Sequence, residues 1–99
     1  MVNGCKRRAV SLKTTLKNFG EPIILIATSD TFPYFSHESG SLFNYHHVVL
    51  LQGLVYDPNY TGGVPIPLQD YVGIAYPDQD DVILWRKGVT DRFSLDYYQ

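Results

Sequence analysis

Hydrophobic residues in the first part of the chain recur at helical spacing. Between positions 9 and 19 they fall at steps of three and four, at Ala9, Leu12, Leu16 and Phe19. Residues at these steps lie on one face of a helix, so the pattern predicts an amphipathic helix. We expect it to begin near Asn3 or Gly4, with Asn3 as N-cap, and to end at Gly20 in a left-handed stop just before Pro22.

The middle of the chain carries the pattern of strands. The run PIILIAT at 22–28 is continuous and β-branched, as in a strand buried on both faces. The segments HHVVLL and LVYD predict a hairpin that turns at Gln52 and Gly53. Between these strands, residues 29–44 show neither period and predict a loop that packs its aromatic residues against the body of the domain.

Two further elements complete the predicted order. LQDYVGIAY indicates a third strand or a short helix, and VILWRKG indicates another strand. One helix followed by antiparallel strands is an α+β pattern. We therefore predict a single domain over residues 1–99, with an N-terminal helix packed on a small antiparallel sheet.

Composition and charge exclude several classes of partner. The formal net charge is −2 and the pI is near 5.8, so nothing in the charge favours nucleic-acid binding. No apolar run approaches the roughly 18 residues of a membrane span, and the N-terminus lacks the apolar core of a secretory signal. Cys5 is the only cysteine, which excludes an internal disulfide and a multi-cysteine zinc site. No cofactor is expected.

The predicted hairpin decides which histidine can meet Asp57. A two-residue turn at 52 and 53 places Val48 opposite Asp57, and alternate residues of a strand share a face. His46 therefore lies diagonally from Asp57, within reach of a hydrogen bond, while His47 points to the other face. A one-residue bulge would reverse this assignment.

A thiol near the start of the predicted helix adds a candidate nucleophile. With Asn3 as N-cap, Cys5 lies in the first turn, where the helix dipole favours an anion. Histidine can activate such a thiol and a carboxylate can fix the histidine tautomer. Cys5, His46 and Asp57 thus have the residue types of a cysteine-dependent catalytic site.

The segments CKRRAVSLKTTLKNFGEP and HHVVLLQGLVYDPNYTGGVPIPLQDYV resemble the papain-fold toxin domains of bacterial polymorphic toxin systems, of the type called papain fold toxin 2. That pattern has Cys-x-x-x-Ala, a helix-ending Gly, His-x-x-Val, Gly-x-Val-Tyr/Phe-Asp, Gly-x-Pro and an aromatic residue. Twelve residues fill these positions: Cys5, Ala9, Gly20, His46, Val49, Gly53, Val55, Tyr56, Asp57, Gly63, Pro65 and Tyr71. The resemblance covers about residues 3–75.

The resemblance implies a minimal papain-like fold and a role for each site residue. Cys5 would be the nucleophile, His46 the base and Asp57 the orienting acid, with the family's spacing of eleven residues from His to Asp. Since only four residues precede Cys5, its backbone N–H and the Asn3 side chain are expected to form the oxyanion hole. The implied reaction is peptide hydrolysis or glutamine deamidation of a target protein, in a secreted effector that acts in the target-cell cytoplasm. A cognate immunity protein is the implied partner.

Other interpretations of the same residues stay open. Cys5 could be a small buried hydrophobe, and Asp57 could cap its own turn before Pro58. Pro58 and Tyr45 depart from the Asn and Gly usual in the family, which fits a papain-like binding module without turnover. His37 is expected to be solvated in its loop.

Two more groups favour structural interpretations. Asp78, Asp80 and Asp81 are expected to form a solvated turn rather than a metal site. Trp85, Tyr71 and Tyr76 are expected to lie in the core.

Overall fold

A computed structural model describes residues 5–29, 34–79 and 81–86 of the chain. The two helices are α1 (Cys5–Leu16) and α2 (Leu68–Ala75), and a 3-10 turn (Lys17–Phe19) extends α1. The strands are β1 (Ile23–Ser29), β2 (Phe35–Ser36), β3 (Leu42–Phe43), β4 (His46–Leu51), β5 (Leu54–Tyr56), β6 (Ile66–Pro67) and β7 (Val82–Arg86). The predicted α+β class, with an N-terminal helix on an antiparallel sheet, is confirmed.

The main sheet is built around β1 and β4. Five strands are ordered β6-β5-β4-β1-β7, and every pairing is antiparallel. All six residues of β4 are buried, because elements cover both faces of this central strand. The remaining strands, β2 and β3, form a separate short hairpin.

The two faces of β4 contribute to different hydrophobic clusters. Ala9 and Leu16 of α1 pack with Val49 and Leu51 on one face. On the other face, Val48 and Leu50 join a larger core that includes residues of β1, β3, β5 and α2. Residues 46, 48 and 50 therefore face one core while 47, 49 and 51 face α1.

The C-terminal end of α1 differs from its predicted form. The α-helix stops at Leu16, and Gly20 adopts φ +151° and ψ −154° instead of a left-handed helical stop. That conformation is essentially restricted to glycine. A Cβ at Gly20 would also lie 3.0 Å from Cδ1 of Leu51, a tight contact that would require the Leu51 side chain to shift.

The hairpin of β4 and β5 has the predicted register. Leu51 pairs with Leu54, Leu50 with Val55 and Val49 with Tyr56, without a bulge. Gln52 and Gly53 both have positive φ, at 53° and 79°. This is the backbone of a two-residue turn whose twist matches that of the strands it joins.

Other segments refine the predictions. The loop at 29–44 contains β2 and β3, and its residues Phe35 and Phe43 are buried as expected. Tyr34 of the same loop is 52% exposed, so the prediction is wrong for this aromatic residue. LQDYVGIAY forms the helix α2 rather than a strand, and its residue Tyr71 is buried. Trp85 is only partly buried and donates a hydrogen bond from its indole N–H to Oγ1 of Thr28.

The turn geometry predicts opposite effects for one substitution at two glycines. Gly53→Ala should lower the free energy of unfolding by about 1–2 kcal/mol, because alanine resists the positive φ although its Cβ would meet no atom within 4 Å. Gly73→Ala is the matched control, since Gly73 lies exposed within α2 and its Cβ also meets nothing.

In that helix alanine should raise the free energy of unfolding by up to about 1 kcal/mol. Urea unfolding of both variants measures these two changes in the free energy of unfolding. The same sign for both variants would contradict the described turn.

Candidate functional site

The β4–β5 hairpin brings His46 and Asp57 together. His46 is the first residue of β4, and Asp57 follows directly after β5. Nε2 of His46 lies 2.7 Å from Oδ1 of Asp57, and both side chains are 0% exposed. The contact that the register predicted is therefore present.

The Asp57 carboxylate accepts hydrogen bonds on both oxygens. Oδ1 accepts from Nε2 of His46 and from the backbone N–H of Asn59, at 2.7 and 2.8 Å. Oδ2 accepts from Nε2 of His37 at 2.7 Å and from the hydroxyl of Tyr71 at 2.8 Å. Asp57 thus caps its own turn, as one interpretation expected, and also binds two imidazoles.

The second imidazole belongs to a residue that sequence reasoning assigned to solvent. His37 is only 3% exposed, so the expectation of a solvated side chain is wrong. It lies in the turn between β2 and β3, where its backbone N–H donates to the carbonyl of Ser41. Its ring packs edge-on against Phe43 and Tyr76, with centroid distances of 5.8 and 5.3 Å.

Local hydrogen bonds fix the tautomer of His37. The backbone N–H of Ser39 donates to Nδ1 of His37 at 3.1 Å, so Nδ1 is an acceptor and carries no proton. The proton of the neutral ring is then on Nε2, which donates to Asp57. His37 therefore supplies a hydrogen bond to the carboxylate without supplying a positive charge.

The charge of Asp57 also determines the proton position on His46. Burial alone would raise the pKa of Asp57, but the hydrogen bonds that it accepts from His37 and His46 lower it well below its ordinary value. Asp57 is thus an anion at neutral pH, and Nε2 of His46 must be the donor in their hydrogen bond. His46 then gains or loses a proton at Nδ1.

Tyr71 is held as a hydrogen-bond donor. Its burial, with the neighbouring Tyr76 and Asp57, raises its pKa well above the ordinary value. The hydroxyl keeps its proton and directs it to Oδ2 of Asp57, while the Tyr76 hydroxyl lies 3.2 Å from the Tyr71 hydroxyl. Both tyrosines are in the core, as predicted, and they also connect the core to the carboxylate.

The structure places the remaining predicted site residues only in part. Cys5 is the first residue of α1, while its side chain and all of Asn3 lie outside the described residues. The helix packs on the Val49 and Leu51 face of β4, opposite the face that carries the His46 ring. His47 lies on the helix side, 4% exposed, and its ring contacts that of Tyr45.

The contact between α1 and β4 indicates which end of the strand the start of the helix lies near. The Gln52 side chain donates to the carbonyl of Phe19, so the C-terminal end of the helical segment lies at the end of β4. Twelve helical residues span about 18 Å and six strand residues about 20 Å. Since α1 packs on β4 and its C-terminal end lies near Gln52, we expect its N-terminus to lie toward the end of the strand where His46 begins.

His37, His46 and Asp57 also have the donor types of a metal site. Their nearest ligand atoms lie within 4.8 Å of one another. A metal bound to Nε2 of His37 would move the ring proton to Nδ1, which faces the Ser39 N–H. The hydrogen bond from the Ser39 N–H would then be lost, and the Nδ1 proton would have the Ser39 hydroxyl, 2.8 Å away, as its acceptor.

The sequence contains one signal for the role of His37. Phe35 and His37 are two residues apart in an extended segment, so a buried Phe35 predicts a His37 on the same face. Nothing in the spacing to Asp57, twenty residues later, indicates the contact. It arises because β2 and β3 fold back over the start of β4.

Comparisons of this chain with protein-family models, curated proteins and solved structures found no match. Within the described part of the chain, neither helix has the length and apolar character needed to cross a membrane.

The buried carboxylate predicts a defined acid dependence of stability. Asp57→Asn should lower the free energy of unfolding at pH 7 by about 2–3 kcal/mol, because an amide cannot accept all four hydrogen bonds. The folded-state pKa of Asp57 is lowered, so its contribution to stability is present above about pH 4 and declines as the pH falls further. Urea unfolding should show the difference between wild type and variant narrowing below about pH 4.

The exposed carboxylate of Asp78 provides the control for this measurement. Asp78→Asn should unfold like the wild type at pH 7. A difference between Asp57→Asn and wild type that stays constant down to about pH 2 would contradict the charged state assigned to Asp57.

Proposed function

We propose that this chain is a cysteine-dependent amide hydrolase, a peptidase or protein-glutamine deamidase that acts as a bacterial toxin or effector domain. The observation that carries the proposal is the 2.7 Å hydrogen bond between Asp57 and Nε2 of His46. Because Asp57 holds a proton on Nε2, Nδ1 is the nitrogen through which His46 would act as a base. A histidine oriented in this way by a carboxylate is the base of a nucleophilic triad.

In the proposed reaction, Nδ1 of His46 takes the proton of the Cys5 thiol. The thiolate attacks the amide carbonyl carbon, and the tetrahedral oxyanion collapses to a thioester as the amine leaves with the proton from Nδ1. Water then attacks the thioester, His46 accepts a proton from it, and the thiol leaves with that proton. The products are a carboxylic acid and either the released peptide amine or ammonia.

Two features of the fold support this assignment. Cys5 begins α1, where unpaired backbone N–H groups and the helix dipole stabilise a thiolate. The C-terminal end of the helical segment lies near Gln52, and a helix that runs from there along β4 would bring its N-terminus toward the end of the strand that begins with His46. Since α1 lies on the other face of β4, the proposal requires the thiol to reach Nδ1 around the start of the strand.

The alternative function is a binding module without turnover. It is favoured by the saturation of Asp57, whose four hydrogen bonds would also suit a purely structural buried carboxylate. The two functions differ in whether the imidazole of His46 changes the reactivity of Cys5. The hydrolase proposal includes two partners, a protein substrate and a cognate immunity protein.

The pH dependence of thiol alkylation separates the two functions. In the wild-type chain, Cys5 should react with iodoacetamide with a midpoint below about 8.5, the ordinary thiol pKa. His46→Gln should move the midpoint up toward that value, because the thiolate loses its imidazolium partner. His47→Gln is the matched control, since it removes a buried imidazole from the same strand without touching Asp57.

His47→Gln should keep the wild-type profile. An ordinary midpoint in the wild type would favour the binding module. If Cys5 lost reactivity in His47→Gln but not in His46→Gln, the base would be His47, on the α1 side of the sheet, and not His46.

The toxin proposal predicts that expression of the chain inside bacterial cells slows their growth and that Cys5→Ala relieves the effect. The reason is that the thiol is the attacking group, while alanine preserves the helix start. Growth curves at matched protein levels, with Asp78→Asn as a surface control, provide the measurement. Equal growth inhibition by wild type and Cys5→Ala would contradict the proposed mechanism.

A further inference from the structure

The Asp57 carboxylate is shared almost symmetrically by two histidines. Each oxygen accepts one imidazole Nε2 at 2.7 Å, and each has a second donor at 2.8 Å. A triad needs only the histidine that faces the nucleophile. The second histidine, His37, is therefore a residue that the proposed reaction does not use directly.

His37 is rigidly held where it meets the carboxylate. Its ring is 0% exposed and lies edge-on to Phe43 and Tyr76. Ser39 approaches Nδ1 through both its backbone N–H and its hydroxyl, at 3.1 and 2.8 Å. The ring can neither rotate freely nor change tautomer without losing the Ser39 N–H bond.

This anchoring fixes the plane of the carboxylate. Oδ1 is already bound to the backbone of Asn59, an interaction that any turn-capping aspartate can make. The bond from His37 to Oδ2 fixes the second oxygen and leaves Oδ1 directed at Nε2 of His46. Without His37, Oδ2 would keep only the Tyr71 hydroxyl, and the carboxylate could rotate away from His46.

Two carboxylates, Asp57 and Glu38, and the ring of His46 surround His37. Among the described residues, Asp57, Tyr71 and Tyr76 are the ionisable groups beside the two rings, and Glu38 lies 3.9 Å from Nδ1 of His37. The His37 and His46 ring centroids are 5.4 Å apart, so a second positive charge on His37 would oppose an imidazolium at His46. The Ser39 N–H bond requires Nδ1 as an acceptor, so the proton that His37 donates to Asp57 is the one on Nε2.

We propose that His37 is a positioning residue, which holds the Asp57 carboxylate so that His46 keeps its proton on Nε2 and exchanges protons at Nδ1. The inference rests on the proposed hydrolase function only in linking this tautomer to the reactivity of Cys5. The position of the ring protons is itself independent of that function.

Imidazole ¹H–¹⁵N correlation spectra of the folded protein test the proposal, because they distinguish the two neutral tautomers. In the wild type at neutral pH, His37 should carry its proton on Nε2. In His37→Leu, which removes the donor, His46 should become a mixture of tautomers. In His37→Gln, whose side-chain amide can donate to Oδ2 in place of Nε2, His46 should keep the Nε2–H form.

Cys5 alkylation in the same variants links the tautomer to reactivity. His37→Leu should slow the reaction at neutral pH by about tenfold or more, since a misplacement near 1 Å can cost about 100-fold. His37→Gln should restore most of the rate. A purely structural histidine would give equal effects for Leu and Gln.

Three results would overturn the proposal. They are a proton on Nδ1 of His37 in the wild type, an unchanged His46 tautomer in a folded His37→Leu protein, and loss of that tautomer in His37→Gln. The wild-type spectrum decides the matter even where His37→Leu does not fold. If Cys5 proves unreactive in the wild type, the hydrolase function fails while the tautomer measurements still judge the role of His37.

Discussion

A carboxylate that is removed from water must find hydrogen-bond donors for both of its oxygens, and Asp57 imposes this requirement on the fold. Its donors come from separate parts of the chain: the β2–β3 turn, the start of β4, the backbone after β5 and the helix α2. Each of these elements is short, and none could bury the charge alone. The hydrogen bonds to this carboxylate therefore fix the relative positions of these segments. Hydrophobic contacts alone would leave those positions less precisely defined.

The same interaction gives the two histidines different chemical states. His37 is held as a neutral donor by the Ser39 N–H, whereas His46 meets Asp57 through Nε2 and exchanges protons at its other ring nitrogen. This hydrogen-bond pattern occurs both in purely structural clusters and in catalytic dyads. What distinguishes them is the group that meets Nδ1 of His46, and in the proposed function that group is the thiol of Cys5.

Sequence patterns were sufficient to predict the parts of the fold that depend on local periodicity. The step of three and four predicted α1, and the strand alternation with the Gln52–Gly53 turn predicted a register that placed His46 beside Asp57. The sequence was less informative for LQDYVGIAY, which is short and apolar enough for either a strand or a helix. Its helical form is one of the features that bring Tyr71 to Asp57.

The contact of His37 with Asp57 could not be predicted from the periodicity of the sequence. The five residues between β2 and β3 include Gly and Ser, which predict an exposed loop. The return of β3 over the core buries the His37 ring between Phe43 and Tyr76. Contacts of this kind depend on how distant segments pack rather than on local spacing. The predicted site consequently included one of the two histidines bound to Asp57.

The proposed function requires the Asp57-oriented imidazole of His46 to meet the thiol at the start of α1. The distance between Sγ of Cys5 and Nδ1 of His46, measured by crystallography of the reduced protein, tests it most directly. For the proposed triad we expect a separation of about 3–4 Å, within hydrogen-bond reach of a thiol. A thiol packed with Val49 and Leu51, with β4 between it and the His46 ring, would contradict it.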